Sequence, residues 1–289
     1  MDMPFIVNQE HCAKCGSCIG NCPNKAIIRT DGITKITNLC FDCGICIKYC
    51  PAGAIGPGPE KAEKNHKKLN KALKEKLGLK KNIAAMKYTD KPPEGIRIEE
   101  GPHFWCGLCG DVFDGEEQPV YFTKEASACG GSANIALGAK KAPKEMFEAA
   151  MEASVIGEGK SYICKDLLAV NRNLFPQFKK IYKGVIIGSL EHVPNPDLII
   201  FPINGQQLGA IATAYGFETG LVLKGFAGKA ACLTTIPFPL TDNTPTFAPG
   251  DHGGRTFMRL GHDEILTCFP FKLVPGLAHN LDRTIFAQE

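Results

Sequence analysis

The sequence predicts an α+β (or mixed α/β) chain: a small N-terminal module organised by cysteine, then a larger domain of mixed helix and strand. Three observations predict it. Eight of the 14 cysteines fall in the first 50 residues. A Gly56-Pro57-Gly58-Pro59 run just beyond them breaks regular structure. After that break, apolar runs of strand length alternate with helix-patterned stretches. The expected domains are therefore residues 1–58 and 59–289.

Composition narrows the function classes. A chain of 289 residues, 44% hydrophobic and 22% charged, can bury a sizeable core, which argues against a disordered, collagenous or coiled-coil protein. No apolar run approaches the roughly 18–20 residues of a membrane span. The formal net charge of +3 is too mild to imply nucleic acid. The start, MDMPFIVNQEHC, lacks a basic stretch followed by an apolar one, so no export signal is expected. A cytoplasmic location follows, with cysteines kept reduced and available for metal or redox chemistry.

The first element is a repeated ligand run. Cys12, Cys15, Cys18 and Cys22, followed by Pro23, read C-x2-C-x2-C-x3-C-P. Cys40, Cys43, Cys46 and Cys50, followed by Pro51, repeat it 28 positions later. A tight coil with a thiolate every third residue wraps three corners of an iron–sulfur cube, and the fourth corner must come from elsewhere. Gly16 and Gly44 permit the sharp backbone approach, and Pro23 and Pro51 stiffen the exits. Residues 26–28 and 54–55 read as short apolar strands that cover the clusters. The competing reading is a zinc module, but zinc has no use for three cysteines at successive three-residue steps, twice. Residues 1–58 closely resemble the bacterial-type 2[4Fe-4S] ferredoxins, a pseudo-two-fold fold of two hairpins and two short helices. In that pattern the fourth cysteine of each run ligates the other cluster. The resemblance thus implies cluster one on Cys12, Cys15, Cys18 and Cys50, and cluster two on Cys40, Cys43, Cys46 and Cys22. Members are typically acidic; here Lys14, Lys25, Arg29, Lys35 and Lys48 slightly outnumber Asp2, Glu10, Asp31 and Asp42. Exposed cubanes degrade in oxygen, which fits an anaerobe.

The link is EKAEKNHKKLNKALKEKLGL, helical in composition, with Leu69, Leu73 and Leu77 as a narrow apolar stripe. Nine lysines and three glutamates lie between Glu60 and Lys81. Without aromatics or a motif, that charge reads as a solvated amphipathic helix opening the second domain, rather than as an acid-docking surface. Residues 81–88 read as a strand and 91–95 as a turn.

In the large domain, residues 144–155 and 204–217 look helical. Residues 184–190, 198–203, 221–225, 230–236 and 264–271 look like strands, several of them fully apolar and so buried. From about Leu69 the chain resembles the ArCR family, domain of unknown function 169. The stretches that carry the resemblance are KEKLGLKKNIAAMKY, ACGGSANIALG, YKGVIIGSLEHVPNPDLIIFPINGQQ, KGFAGKAACL and GGRTFMRLGHDEILTCFPF. It implies membership and little chemistry. Relatives often carry a cysteine shortly before the segment near Arg255, where this chain has Ala248-Pro249-Gly250-Asp251-His252.

Six cysteines remain. Cys106 and Cys109 sit in HFWCGLCG and Cys129 in ACGG, while Cys164, Cys232 and Cys268 lie in apolar contexts. Four readings of the first group stay open. A third iron–sulfur site or metal would use Cys106, Cys109 and Cys129 with Cys232 as the fourth ligand, and Gly107, Gly110, Gly130 and Gly131 would let amides approach the sulfurs. A redox dithiol at Cys106 and Cys109 needs a preceding strand and a helix starting at the first cysteine, which Pro102 and Phe113-Asp114-Gly115 would keep short. A zinc site would add His103. Otherwise the thiols are buried small hydrophobes, the expectation for Cys164 and Cys268.

Arg255, between His252 and His262, is a candidate clamp for a carboxylate or phosphate, or else a structural arginine in a glycine-rich turn. His66, His192 and His279 read as surface residues, and His11 as a solvated neighbour of the first ligand. The P-loop, Rossmann, H-E-x-x-H and G-x-S-x-G signatures are missing. A flavin needs no linear motif, so their absence does not exclude one. The leading reading is an electron-transfer protein whose two [4Fe-4S] clusters serve the second domain, with a redox partner protein. The alternatives are an oxidoreductase centred in the second domain, or a non-catalytic metal or cluster accessory or redox sensor. Substrate and oligomeric state are not legible.

Overall fold

The computed structural model describes residues 5–37, 39–40, 44–57, 59–116, 118–123, 125–126, 128, 182–225, 235–250 and 252–284. The chain divides into two compact units, Met1–Leu69 and Asn70–Glu289. Both mix helix and strand, in keeping with the α+β expectation.

The first unit is a doubled motif. Strand β1 (Phe5–Val7) pairs antiparallel with β4 (Ile55–Pro57), and β2 (Ile27–Thr30) with β3 (Ile33–Ile36). Asp31 and Gly32, both at positive φ, make the tight turn that matches the twist of the β2–β3 hairpin. One four-residue helix follows each leading cysteine pair: α1 (Ser17–Gly20) and α2 (Ile45–Lys48). Phe5, Cys18, Ile27, Ile36, Cys46 and Ile55 form the core. The break expected at residues 56–59 is more structured than its glycines and prolines suggest. Gly56 and Pro57 extend β4, whose ladder ends at Phe5 opposite Pro57, and Pro59 opens helix α3 (Pro59–Leu77). Proline at a strand end or in a first helical turn forfeits no required hydrogen bond.

The buried face of α3 differs from the expected stripe. His66, Asn70, Leu73 and Leu77 are buried, at helical spacings of four, three and four, with Leu69 only half-buried at their edge. His66, expected at the surface, is 2% exposed because it continues that face.

The second unit is built on a seven-stranded sheet, in the order β10-β11-β9-β5-β8-β7-β6. Its strands are β5 (Ala84–Thr89), β6 (Arg97–Glu99), β7 (Val120–Thr123), β8 (Gly184–Ser189), β9 (Leu198–Ile203), β10 (Thr246–Ala248) and β11 (Ile265–Pro270). All pairs are antiparallel except β6–β7. Every residue of β8 and β9 is buried, as fully apolar runs require of strands covered on both faces. One face carries helix α4 (Trp105–Phe113), which packs Trp105, Leu108 and Val112 on Ala84, Met86, Val185, Ile187 and Leu198. Elsewhere, helix α5 (Gly205–Thr219) and helix α8 (Val274–Asn280) pack on each other. Lys76 at the end of α3 donates to Ala278 O (2.7 Å) and pairs with Asp282 (2.8 Å). Asn204 and Gln207 close a capping box on α5, and Gln207 Nε2 also donates to Leu77 O (2.9 Å). Two short helices, α6 (Pro237–Asp242) and α7 (His252–Phe257), complete the described elements. No described helix is long and apolar enough to cross a membrane.

Residues 221–225 are not the expected strand. Gly220 ends α5 in a left-handed cap, and Leu221 and Val222 are left 61% and 79% exposed. The stretch expected as a strand at 230–236 lies mostly outside the described residues, and its end, Thr235–Ile236, leads into α6. The helix expected at 144–155 also lies outside them.

Candidate metal centre

In the first unit the local chain is folded around sulfur. Gly16 and Gly44, 28 residues apart, take left-handed conformations (φ 79° and 71°) that turn the backbone into α1 and α2. Cys18 and Cys46 follow on those helices and are both buried. Downstream, Ala26 N–H donates to Cys22 Sγ and Ala54 N–H to Cys50 Sγ, each at 3.2 Å. Amides aimed at sulfur stabilise thiolate character and tune a bound centre.

Two separate cavities result. The first, partly open to solvent, is lined by Cys12, Cys15, Cys18 and Cys50, with Lys14, Arg29 and Thr34 among its other walls. The second is lined by Cys22, Cys40 and Cys46 together with Phe5, Ile27 and Ile36. Cys43 lies outside the described residues. Each cavity thus joins cysteines of one run to the fourth cysteine of the other. Burial raises the Cys18 thiol above its ordinary pKa, with further contributions from nearby Cys50 and Cys12. Bound cations would reverse that cost, so loading the cavity releases protons. Among the described residues no three Cys, His, Asp or Glu side chains converge on a single-ion position. Sulfurs spread around a shared pocket rather than on one point suit a multi-iron body instead, and the all-thiolate donor set with amide support fits a [4Fe-4S] cluster.

Sequence reasoning missed the outer wall of the first cavity. Thr34 is 1% exposed, and Cys12 Sγ lies 3.9 Å from its Oγ1. Arg29 Nε donates to the same hydroxyl at 3.4 Å. The β2–β3 register sets Arg29 opposite Thr34. A threonine alternating with Ile36 on an inward face was the available signal.

The second unit treats its cysteines differently. Cys106 and Cys109 lie on α4 and Cys268 on β11, all within one apolar core. Burial pushes the Cys109 thiol well up, with nearby Cys106 and Cys268 next in effect, and burial alone raises Cys268. Tyr88 is raised by the same burial, then by Cys268. The helix expected to be short runs nine residues, because eight of them are buried and tertiary packing outweighs its glycines. Strand β6 precedes it and runs parallel to β7 beyond it, so the strand-then-helix context of a dithiol motif is present. Yet reactive thiols need a lowered pKa and access, and Cys109 has neither. Gly110 serves packing: a Cβ there would meet Phe257 O at 2.2 Å. Cys129, Cys164 and Cys232 lie outside the described residues, as does the side chain of His252. Arg255 donates through Nη1 to Pro249 O (2.6 Å) and Glu264 O (3.1 Å) and through Nη2 to Gly261 O, stitching its own loop together.

Comparison with known families agrees with this division. The model of a 4Fe-4S binding domain matches residues 33–56, and that of the uncharacterised ArCR family matches residues 72–280. No curated protein and no solved structure matches the chain. The 4Fe-4S match gives the first unit its iron–sulfur, electron-transfer character. The ArCR match spans most of the chain, which therefore belongs to the ArCR family and carries a 4Fe-4S binding domain ahead of the matched region.

Proposed function

We propose that the first unit holds two [4Fe-4S] clusters and passes single electrons to or from the ArCR unit. Cys12, Cys15, Cys18 and Cys50 hold one cluster; Cys40, Cys43, Cys46 and Cys22 hold the other. The observation that carries this reading is the pair of cavities, each walled by one run and completed by the fourth cysteine of the other. The clusters would supply one-electron chemistry; the chain supplies thiolates and amides aimed at Cys22 and Cys50. A two-cluster module fused to a larger domain has a local user for its electrons.

For Cys106 and Cys109 we favour a place in the core over a third cluster, because both pack with Trp105, Met86, Leu108 and Cys268 in one apolar cluster. Anaerobic iron and labile-sulfide analysis of the full chain tests both statements. About eight irons per chain are expected, with Cys106→Ala and Cys109→Ala leaving the count and the EPR spectrum unchanged. A count near twelve that falls in those variants would return Cys106, Cys109, Cys129 and Cys232 to a third centre. Material without iron or sulfide after reconstitution would remove the cluster reading altogether.

A further inference from the structure

We propose that the mouth of the first cavity is a docking surface for an acidic electron-carrier protein. The inference rests on the cluster reading above and adds which face exchanges electrons and what charge the partner bears.

The first unit contains nine of the 33 Lys and Arg and six of the 30 Asp and Glu. That leaves twenty-four of each in the second; of the first unit's +3, residues 1–58 carry +1 and the start of α3 carries +2. Within it the two cavities differ. Lys14 and Arg29, both exposed, line the first, and Cys15 in the same lining is the one described cysteine exposed to solvent. No charged side chain lines the second among the described residues. The ligand runs repeat this contrast in sequence: the residue before the second cysteine is Lys14 in the first run and Asp42 in the second. An exposed ligand sulfur is the shortest path for an electron out of the protein, and cations around it steer an anionic carrier there. The footprint is a compact spot around one sulfur rather than a stripe of the kind that tracks a nucleic-acid backbone. The exchange is outer-sphere. No bond forms or breaks; one electron leaves a reduced cluster and reduces a one-electron centre in the carrier, or the reverse.

The test uses the full chain, reconstituted anaerobically and reduced with dithionite, mixed in stopped flow with an oxidised acidic flavodoxin. The transfer rate is expected to fall roughly tenfold between about 0.02 and 0.5 M salt, because steering is screened. Lys14→Glu and Arg29→Glu should each slow transfer severalfold at low salt per loaded cluster, with the difference from the parent vanishing at high salt as loss of steering requires and damage to the cluster would not, while Lys91→Glu in the second unit should change neither. Zero-length carbodiimide cross-linking to the unmutated chain, which needs no variant, should couple flavodoxin carboxylates to Lys14. Salt-independent rates, cross-links confined to second-unit lysines, or tighter binding of a duplex oligonucleotide to the same face would overturn the docking proposal. Absence of iron and sulfide would instead overturn the cluster reading on which it stands.

Discussion

At the scale of single residues, the second unit carries a built-in pH dependence. Burial raises the Cys109 and Cys268 thiols above their ordinary 9.0, and the Tyr88 hydroxyl above 10.0. In the unfolded chain these groups ionise near their ordinary values; in the folded core they keep their protons. Above about pH 9 the folded form therefore binds more protons than the unfolded one. The stability these groups confer is complete below that pH and drains away as pH rises, by about 1.4 kcal/mol per pH unit for each group. Urea titrations in reducing buffer, followed through the single tryptophan, Trp105, should show the midpoint falling between pH 8.5 and 10.5. Cys109→Ala with Cys268→Ala should flatten the decline below pH 10, leaving Tyr88 to act above it. A midpoint that holds level across this range would mean the thiols are not buried as described.

At the scale of elements, α4 shows how packing decides what propensity does not. Two glycines interrupt it, and they are not equivalent. A Cβ on Gly110 would sit 2.2 Å from Phe257 O and 3.1 Å from Met258 Cα, so α4 would have to move off the chain that follows α7. Arg259 bonds to Asp111 (2.8 Å) and Asp114 (3.2 Å) across the same junction, and Phe104 stacks on Phe257 with centroids 4.1 Å apart. Gly110→Ala should cost about 1–3 kcal/mol. Gly107→Ala, whose Cβ meets only the end of His103 at 3.4 Å, should be near neutral, since alanine recovers up to about 1 kcal/mol of helix propensity. Equal effects in thermal denaturation would refute this account of the junction. The same element marks the limit of sequence reading. Strands β8 and β9 and helix α5 were legible because continuous apolar runs and a helix-patterned stretch are local signals. Helix α4 was legible only as a short helix bounded by Pro102 and Phe113-Asp114-Gly115, and it does end at Phe113; that nearly all of it is buried depends on the core around it. The stretch at 221–225 misled in the opposite sense, its apolar side chains standing in solvent after a glycine cap. The cysteine grouping at the candidate centre was implied by the resemblance to two-cluster ferredoxins, whereas Thr34 and Arg29 needed the hairpin register that sets them face to face above Cys12.

At the scale of the whole molecule, the two units hold themselves together by different means. Among its described residues the first packs one small apolar cluster of six buried side chains, two of them cysteine, which is little apolar surface to set against chain entropy. Its stability should come from the clusters, as in other small metal-bound domains. The second buries a continuous sheet with helices packed against it, and its apolar core should hold it folded without the clusters of the first. Trp105 lies in that second core at 2% exposure, so its fluorescence reports the large unit alone. Removing ligands from one cluster should then separate the two behaviours. In Cys40→Ala with Cys46→Ala, iron should drop from about eight to about four atoms per chain. The first unit should become protease-sensitive around residues 20–50. The Trp105 unfolding midpoint should stay within about 0.5 kcal/mol of the parent, as for sites that share no partners. A Trp105 transition that weakens along with iron loss would show instead that the clusters hold both units, and that the ArCR domain depends for its fold on the 4Fe-4S module ahead of it.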